Sequence, residues 1–211
     1  MMPPDQRSAN LSGFDDATRA LVRLSAVVTV GDEREVREAL AAAPNDIPAL
    51  WVEELLLQTY LFAGFPRSLN AMREWRRIHP AVASPFTPGE TQAAARRDGE
   101  ATCAVVYGSM YRRLRDNVRA LHPLLDERMV VDGYGMILSR PQLDLGRREL
   151  CIVAACAASG QDRQLHSHLH GARNAGVALA VIDAAVDDVA TLLSPARATT
   201  VRLLWARVRG K

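Results

Sequence analysis

The chain is short of several things at once. It has no run of 18 or more apolar residues, which excludes a membrane-spanning helix. Only 5% of its 211 residues are aromatic, so any core is built from aliphatic and small side chains. Its three cysteines, Cys103, Cys151 and Cys156, are an odd count set in apolar stretches, which argues against a disulfide framework and for reduced thiols in the cytosol. Net charge is only +2, with 26 basic residues dispersed among 24 acidic ones. No basic stripe stands out, and nucleic-acid binding is not expected. The first eleven residues are polar and contain proline, without the apolar segment of a secretory signal. The expectation is a cytoplasmic globular protein.

What the chain has is alanine, leucine and helical periodicity, arranged twice. Arg19–Trp75 laid over Arg148–Leu204 with a constant shift and no gap gives thirteen identities in 57 positions, where chance would give roughly five. Arg19 meets Arg148, Leu21 meets Leu150, Gly31 meets Gly160, and Arg34 meets Arg163. Further along, Leu40 meets Leu169, Ala43 meets Ala172, Asn45 meets Asn174, Leu50 meets Leu179, Val52 meets Val181 and Pro66 meets Pro195. An ungapped register means that element lengths are preserved, as in a duplication.

Each repeat reads as four helices, near 16–29, 32–43, 47–63 and 66–78 in the first and near 146–159, 161–174, 178–192 and 195–208 in the second. Gly31 and Gly160 are expected to close their helices in the left-handed conformation. Pro66 and Pro195 are expected in the first turn of the last helix, where a missing N–H is tolerated. The predicted fold class is therefore all-α, a duplicated helical repeat: residues 1–78 form the first unit, 79–145 a helical connector and 146–211 the second. Each unit alone is small, so all three are expected to form one compact domain. Within the connector, 79–89 reads as a loop. Thr91–Leu121 carries an apolar stripe of Val105, Met110, Leu114, Val118 and Leu121, and Pro123–Ile137 reads as a further helix ending near Gly133 and Gly135.

The densest polar cluster is Gln161–His170. On a helix, Gln164 and His168 share one face, and His168 borders the inward side marked by Leu165, Leu169 and Ala172. Glu149, in the preceding helix, reaches the same cleft if the two helices form a hairpin. His166 and His170 are also four apart, but two ligands are too few for a metal, and a solvated face is expected. Cys151 and Cys156 point about 140° apart and cannot form a redox pair on an intact helix. The first repeat has Ala20, Glu35 and Ala39 in place of Glu149, Gln164 and His168, yet keeps Glu53–Ala71, whose counterpart Ile182–Thr200 has diverged. Each half retains what the other has lost, as expected of one composite site.

These residues resemble the carboxymuconolactone decarboxylase family. The resemblance rests on Arg140-Pro141, Arg148-Glu149-Leu150, Gln164-Leu165, His168, Gly171-Ala172, Asn174 and Gly176-Val177 in the stretch Tyr134–Val177. It extends to Gln58, Tyr60, Gly64, Pro66 and Ala71 in Glu54–Ala71. It implies the alkyl-hydroperoxidase D-like helical bundle. One branch of that fold is a peroxidase-linked disulfide reductase with a Cys-x-x-Cys motif. Overlaying the motif puts Gln161 and Gln164 at the thiol positions, and without thiols that redox chemistry has no nucleophile.

The resemblance then implies the other branch: a cofactor-independent lyase that decarboxylates a small carboxylated lactone, as in aromatic-compound catabolism. His168 would transfer the proton, Glu149 orient it, Gln164 donate a hydrogen bond and Arg140 pair with a carboxylate. Tyr134, Glu54 and Tyr60 would line the substrate site. His166 stands where related decarboxylases often carry an arginine, so carboxylate recognition would differ. Single-repeat relatives form rings of six, so a homo-oligomer is implied, a trimer in preference to a dimer. The alternatives are a non-catalytic ligand-binding oligomer and an antioxidant relative without active thiols.

Overall fold

The computed structural model describes residues 11–44, 47–80 and 91–210. Most of the expected loop at 79–89, the N-terminus up to residue 10 and the Asn45 match lie outside them. Within the described residues every regular element is helical. The first part of the chain forms α1 (Asp16–Val30), α2 (Glu33–Ala41), α3 (Ala49–Gln58), α4 (Tyr60–Ala63) and α5 (Phe65–Ile78). Next come α6 (Gln92–Tyr107), a 3-10 turn (Gly108–Met110), α7 (Tyr111–Leu121), α8 (Pro123–Arg128) and a π-helix (Met129–Leu138). The last part forms α9 (Leu145–Ser159), α10 (Asp162–Asn174), α11 (Leu179–Ala190) and α12 (Pro195–Arg209).

The starts of these helices are written in their caps. Asp15 accepts a hydrogen bond from the Thr18 amide at 2.7 Å, and Asp144 accepts one from the Arg147 amide at 2.9 Å. Each side chain satisfies an amide that the first turn leaves free. Asp32 and Glu35 form a reciprocal capping box on α2, both bonds at 2.8 Å. Gly160 closes α9 with φ 74°, as expected. Gly31 does not: its φ is −66°. A side chain is excluded there for another reason, because a Cβ would run into the carbonyl oxygen of Val27.

Three expectations need correction. The helix expected at 47–63 breaks at Thr59, whose hydroxyl bonds the Leu55 carbonyl at 2.9 Å, a local bond that disturbs a helix. The apolar stripe of the connector does not form a buried face. Val105, Met110 and Leu121 are 40%, 50% and 78% exposed, α7 has no buried residue, and the 3-10 turn interrupts the helical phase after α6. The helix expected to end near Gly133 and Gly135 continues to Leu138 as a π-helix. Gly135 is there for close approach: α6 crosses the π-helix so tightly that a Cβ on Gly99 or Gly135 would collide with the carbonyls of Val130 and Ala95.

Packing centres on α1 and α9, which lie along each other. Buried apolar residues form two clusters, and α1 feeds both. Leu21, Leu24 and Val28 enter the N-terminal one, while Val22 and Ala26 enter the C-terminal one. Cys151 of α9 belongs to the N-terminal cluster and Cys156 to the C-terminal one, as their angular separation requires. The Ser25 hydroxyl donates to the Cys151 carbonyl at 2.6 Å, and Arg23 forks onto Asp188 of α11 with two bonds of 2.8 Å. α10 folds back on α9 and is flanked by α6 and α12. This hairpin positions the site.

Candidate active site

Glu149 on α9 and His168 on α10 meet across the hairpin, with Nδ1 of the imidazole 2.8 Å from Oε2 of the carboxylate. The glutamate side chain is fully buried and the histidine side chain is 6% exposed. Gly171, one turn beyond His168, makes this possible. A Cβ there would collide with Glu149 Oε2 and with the Val106 side chain. With its proton on Nδ1 toward the carboxylate, the imidazole presents Nε2 as the nitrogen free to exchange a proton. Glu149 Oε1 is buried and has no hydrogen-bond partner among the described residues.

Two aromatic rings flank the imidazole. Phe62 of α4 meets it edge-on, with centroids 5.6 Å apart and planes at 84°. Tyr107, the last residue of α6, lies at 6.5 Å. Tyr134 stands behind Tyr107, with ring centroids 6.0 Å apart and planes at 71°. Burial raises both phenols above their ordinary range, and the Glu149 charge adds to this. Burial likewise pushes the Cys103 and Cys156 thiols up to about 12. The surroundings of the pair are therefore protonated, neutral and largely apolar.

The remaining expected residues lie elsewhere. Gln164 is exposed in the first turn of α10 and makes no hydrogen bond to a described residue. The expected convergence of acid, amide and imidazole thus reduces to acid and imidazole. Arg140 and Glu54 are brought together with each other: the arginine contacts the carboxylate through Nε and Nη2 at 2.8 to 3.0 Å. Arg148, fully buried, adds a 2.7 Å bond to Glu54 and further bonds to Gln58 and to the carbonyls of Leu143 and Arg140. Burial raises the Glu54 pKa, but the two guanidinium groups outweigh it and hold the carboxyl below its ordinary value. This network clamps α3 to the start of α9. Tyr60 is half-buried, and burial with the Asp132 charge raises its phenol.

The His166 and His170 rings stand 4.9 Å apart. Among the described residues no group of three or more His, Cys, Asp or Glu is arranged to hold a metal ion. Two surface grooves of about 430 and 470 Å3 are lined by other residues. The second runs past Ala39 of α2, Ala42 at its end, and Leu192 and Leu193. In the sequence register of the two halves, Ala39 and Ala42 align with His168 and Gly171.

Sequence reasoning did not single out Phe62, Tyr107 or Gly171 as site residues. Phe62 lay inside the retained segment 53–71 and Gly171 inside the recognised motif. Tyr107 left no signal, because its approach depends on how α6 crosses the π-helix.

Residues 127–206 match the model of the family described as Carboxymuconolactone decarboxylase family. The matched segment runs from the end of α8 into α12 and includes Glu149 and His168. No curated protein matches the chain. No helix among the described residues is long and apolar enough to cross a membrane.

Proposed function

We propose, from the match of residues 127–206 to the carboxymuconolactone decarboxylase family, that the chain is a cofactor-independent lyase in which His168 moves the proton. The observation that carries this reading is the buried 2.8 Å contact between His168 Nδ1 and Glu149 Oε2. A carboxylate on one ring nitrogen fixes the tautomer and orientation, as general acid–base catalysis requires. Phe62 and Tyr107 wall the imidazole and limit water around it.

The substrate class is a small carboxylated lactone or ketone. The carbon–carbon bond to the carboxylate breaks, its electron pair enters the adjoining carbonyl system as an enolate, and CO2 leaves. His168, carrying a proton on each ring nitrogen at this point, gives the Nε2 proton to the carbon and is left as the neutral ring with Nδ1–H facing Glu149; solvent then returns a proton to Nε2. Arg140 is engaged by Glu54, so its part in this reading is to help brace α3 against α9. Substrate recognition falls to the apolar walls and to hydrogen-bond donors beside His168.

The test is turnover of a panel of carboxylated lactones and β-keto acids, followed by CO2 release, in the wild type and in His168→Gln. The reading expects activity in the first and a fall of about 10²- to 10⁴-fold in the second. Unchanged turnover in His168→Gln, or no CO2 from any substrate with the wild type, overturns it.

A further inference from the structure

An enolate that forms beside His168 needs a hydrogen-bond donor for its oxygen, and Glu149, an acceptor, cannot supply one. One of the helices beside His168, α6, precedes the matched segment. α6 is held against the site at two places. Near its middle it crosses the π-helix at Gly99 and Gly135, where neither position has room for a side chain. At its end, the Asn174 amide of α10 donates to the Val106 carbonyl at 2.9 Å. The Val106 side chain fills the space opened by Gly171, next to Glu149. The following residue, Tyr107, is thereby fixed with its ring 6.5 Å from the imidazole.

The two tyrosines are not equivalent. Tyr134 is 4% exposed and lies behind, whereas Tyr107 is only half-buried and lies between Tyr134 and His168. Each hydroxyl has one hydrogen to give. Tyr107 is the one beside the imidazole and the more exposed of the two, so its hydroxyl hydrogen is the one available to a ligand there. We infer that Tyr107 is a catalytic hydrogen-bond donor whose hydroxyl binds the carbonyl oxygen that becomes an enolate at His168, with Tyr134 as its positioning residue. No proton leaves either phenol in this step: the pair stabilises charge without accepting it, and burial keeps both protonated.

This inference rests on the proton-transfer reading of His168, and its test is independent of turnover. A phenolate presents a delocalised oxyanion like that of an enolate. Binding of 4-nitrophenolate and of less acidic phenols is measured by absorbance and calorimetry for the wild type, Tyr107→Phe, Tyr134→Phe and His168→Gln. The expected result is saturable binding to the wild type, loss of at least tenfold in affinity in Tyr107→Phe, a smaller loss in Tyr134→Phe and retention in His168→Gln. With a substrate in hand, Tyr107→Phe lowers kcat by about 10²- to 10³-fold with little change in KM.

Phenolates that ignore the wild type, or that bind Tyr107→Phe equally well, overturn the inference. If phenolates depend on Tyr107 while no carboxylated substrate releases CO2, the lyase reading falls and the donor site stands. Tyr107→Phe keeps the ring and its packing, so a purely structural role leaves binding unchanged.

Discussion

Arg147 donates through Nε to the hydroxyl of Thr18 at 2.9 Å, and the two residues are separated by 129 positions, the interval that aligns the two halves of the sequence. Contact between counterparts is what a twofold relation requires at its axis. The same guanidinium reaches both equivalent N-cap residues, Asp144 at 2.7 Å and Asp15 at 3.1 Å. It also lies over the Trp51 ring, 4.4 Å from its centroid. One arginine thus ties the starts of α1 and α9 together.

Arg147→Ala removes these bonds and the stacking at once. The expected cost is about 1–3 kcal/mol, read from urea unfolding. Thr18→Ala loses one of the bonds and costs less. In the double variant the two effects fall short of adding, because the shared bond is counted in both single variants. Full additivity would show that the contact carries no energy.

The buried network around Glu54 makes a sharper prediction. Glu54→Gln leaves Arg148, with no exposure of its own, facing a neutral partner. Breaking one side of such a pair costs about 3–5 kcal/mol at neutral pH. The pH dependence follows from the sign of the shift. Burial raises the Glu54 carboxyl and the arginines lower it further than burial raises it, so its folded value lies below the ordinary 4.5. Its contribution is complete above the unfolded pKa and disappears as pH falls through the lowered folded value. The gap in urea midpoint between wild type and Glu54→Gln is therefore wide at pH 7 and narrows below pH 4.5. A constant gap would show that the carboxylate is not what stabilises the clamp.

Much of this was readable before any coordinates. Helix limits followed from glycine and proline punctuation, and Gly160 and Pro195 sit where the pattern put them. Glu149 and His168 could be paired because a hairpin of two helices brings a fixed pair of positions together. Gln164 was misjudged for a physical reason. A helical wheel gives the face of a residue but not whether another element covers it, and the first turn of α10 is left uncovered at Gln164. Gly31 shows a second limit: glycine at a helix end answers either a left-handed backbone or a collision with a carbonyl, and sequence does not distinguish them. Tyr107 reaches His168 through a tight crossing between α6 and a π-helix, a geometry with no periodic signature.

Gly171→Ala tests the closeness of the hairpin. The added methyl meets Glu149 Oε2 on one side and Val106 on the other, so α10 must move away from α9. Overpacking of this kind costs about 1–3 kcal/mol. It also separates the imidazole from its carboxylate. The variant is expected to fold with a lowered Tm and to lose the downfield Nδ1 proton resonance of His168 in NMR spectra. An unchanged resonance would mean that the side chains meet without needing this glycine.

The thiols provide a last prediction. Cys103, Cys151 and Cys156 are buried, and burial pushes each thiol up to about 12. Near neutral pH the thiolate, the reactive form, is a negligible fraction of each. The folded protein is therefore expected to stay silent toward a thiol-specific chromogenic disulfide and to release three equivalents only on unfolding, in step with the loss of helix. Gln161 and Gln164 occupy the exposed start of α10, at the spacing of a Cys-x-x-Cys pair. Gln161→Cys/Gln164→Cys should thus gain rapid thiol reactivity that the wild type lacks. Fast reaction of the wild type would instead point to a cysteine that opens to solvent beside Glu149, and would return thiol chemistry to consideration.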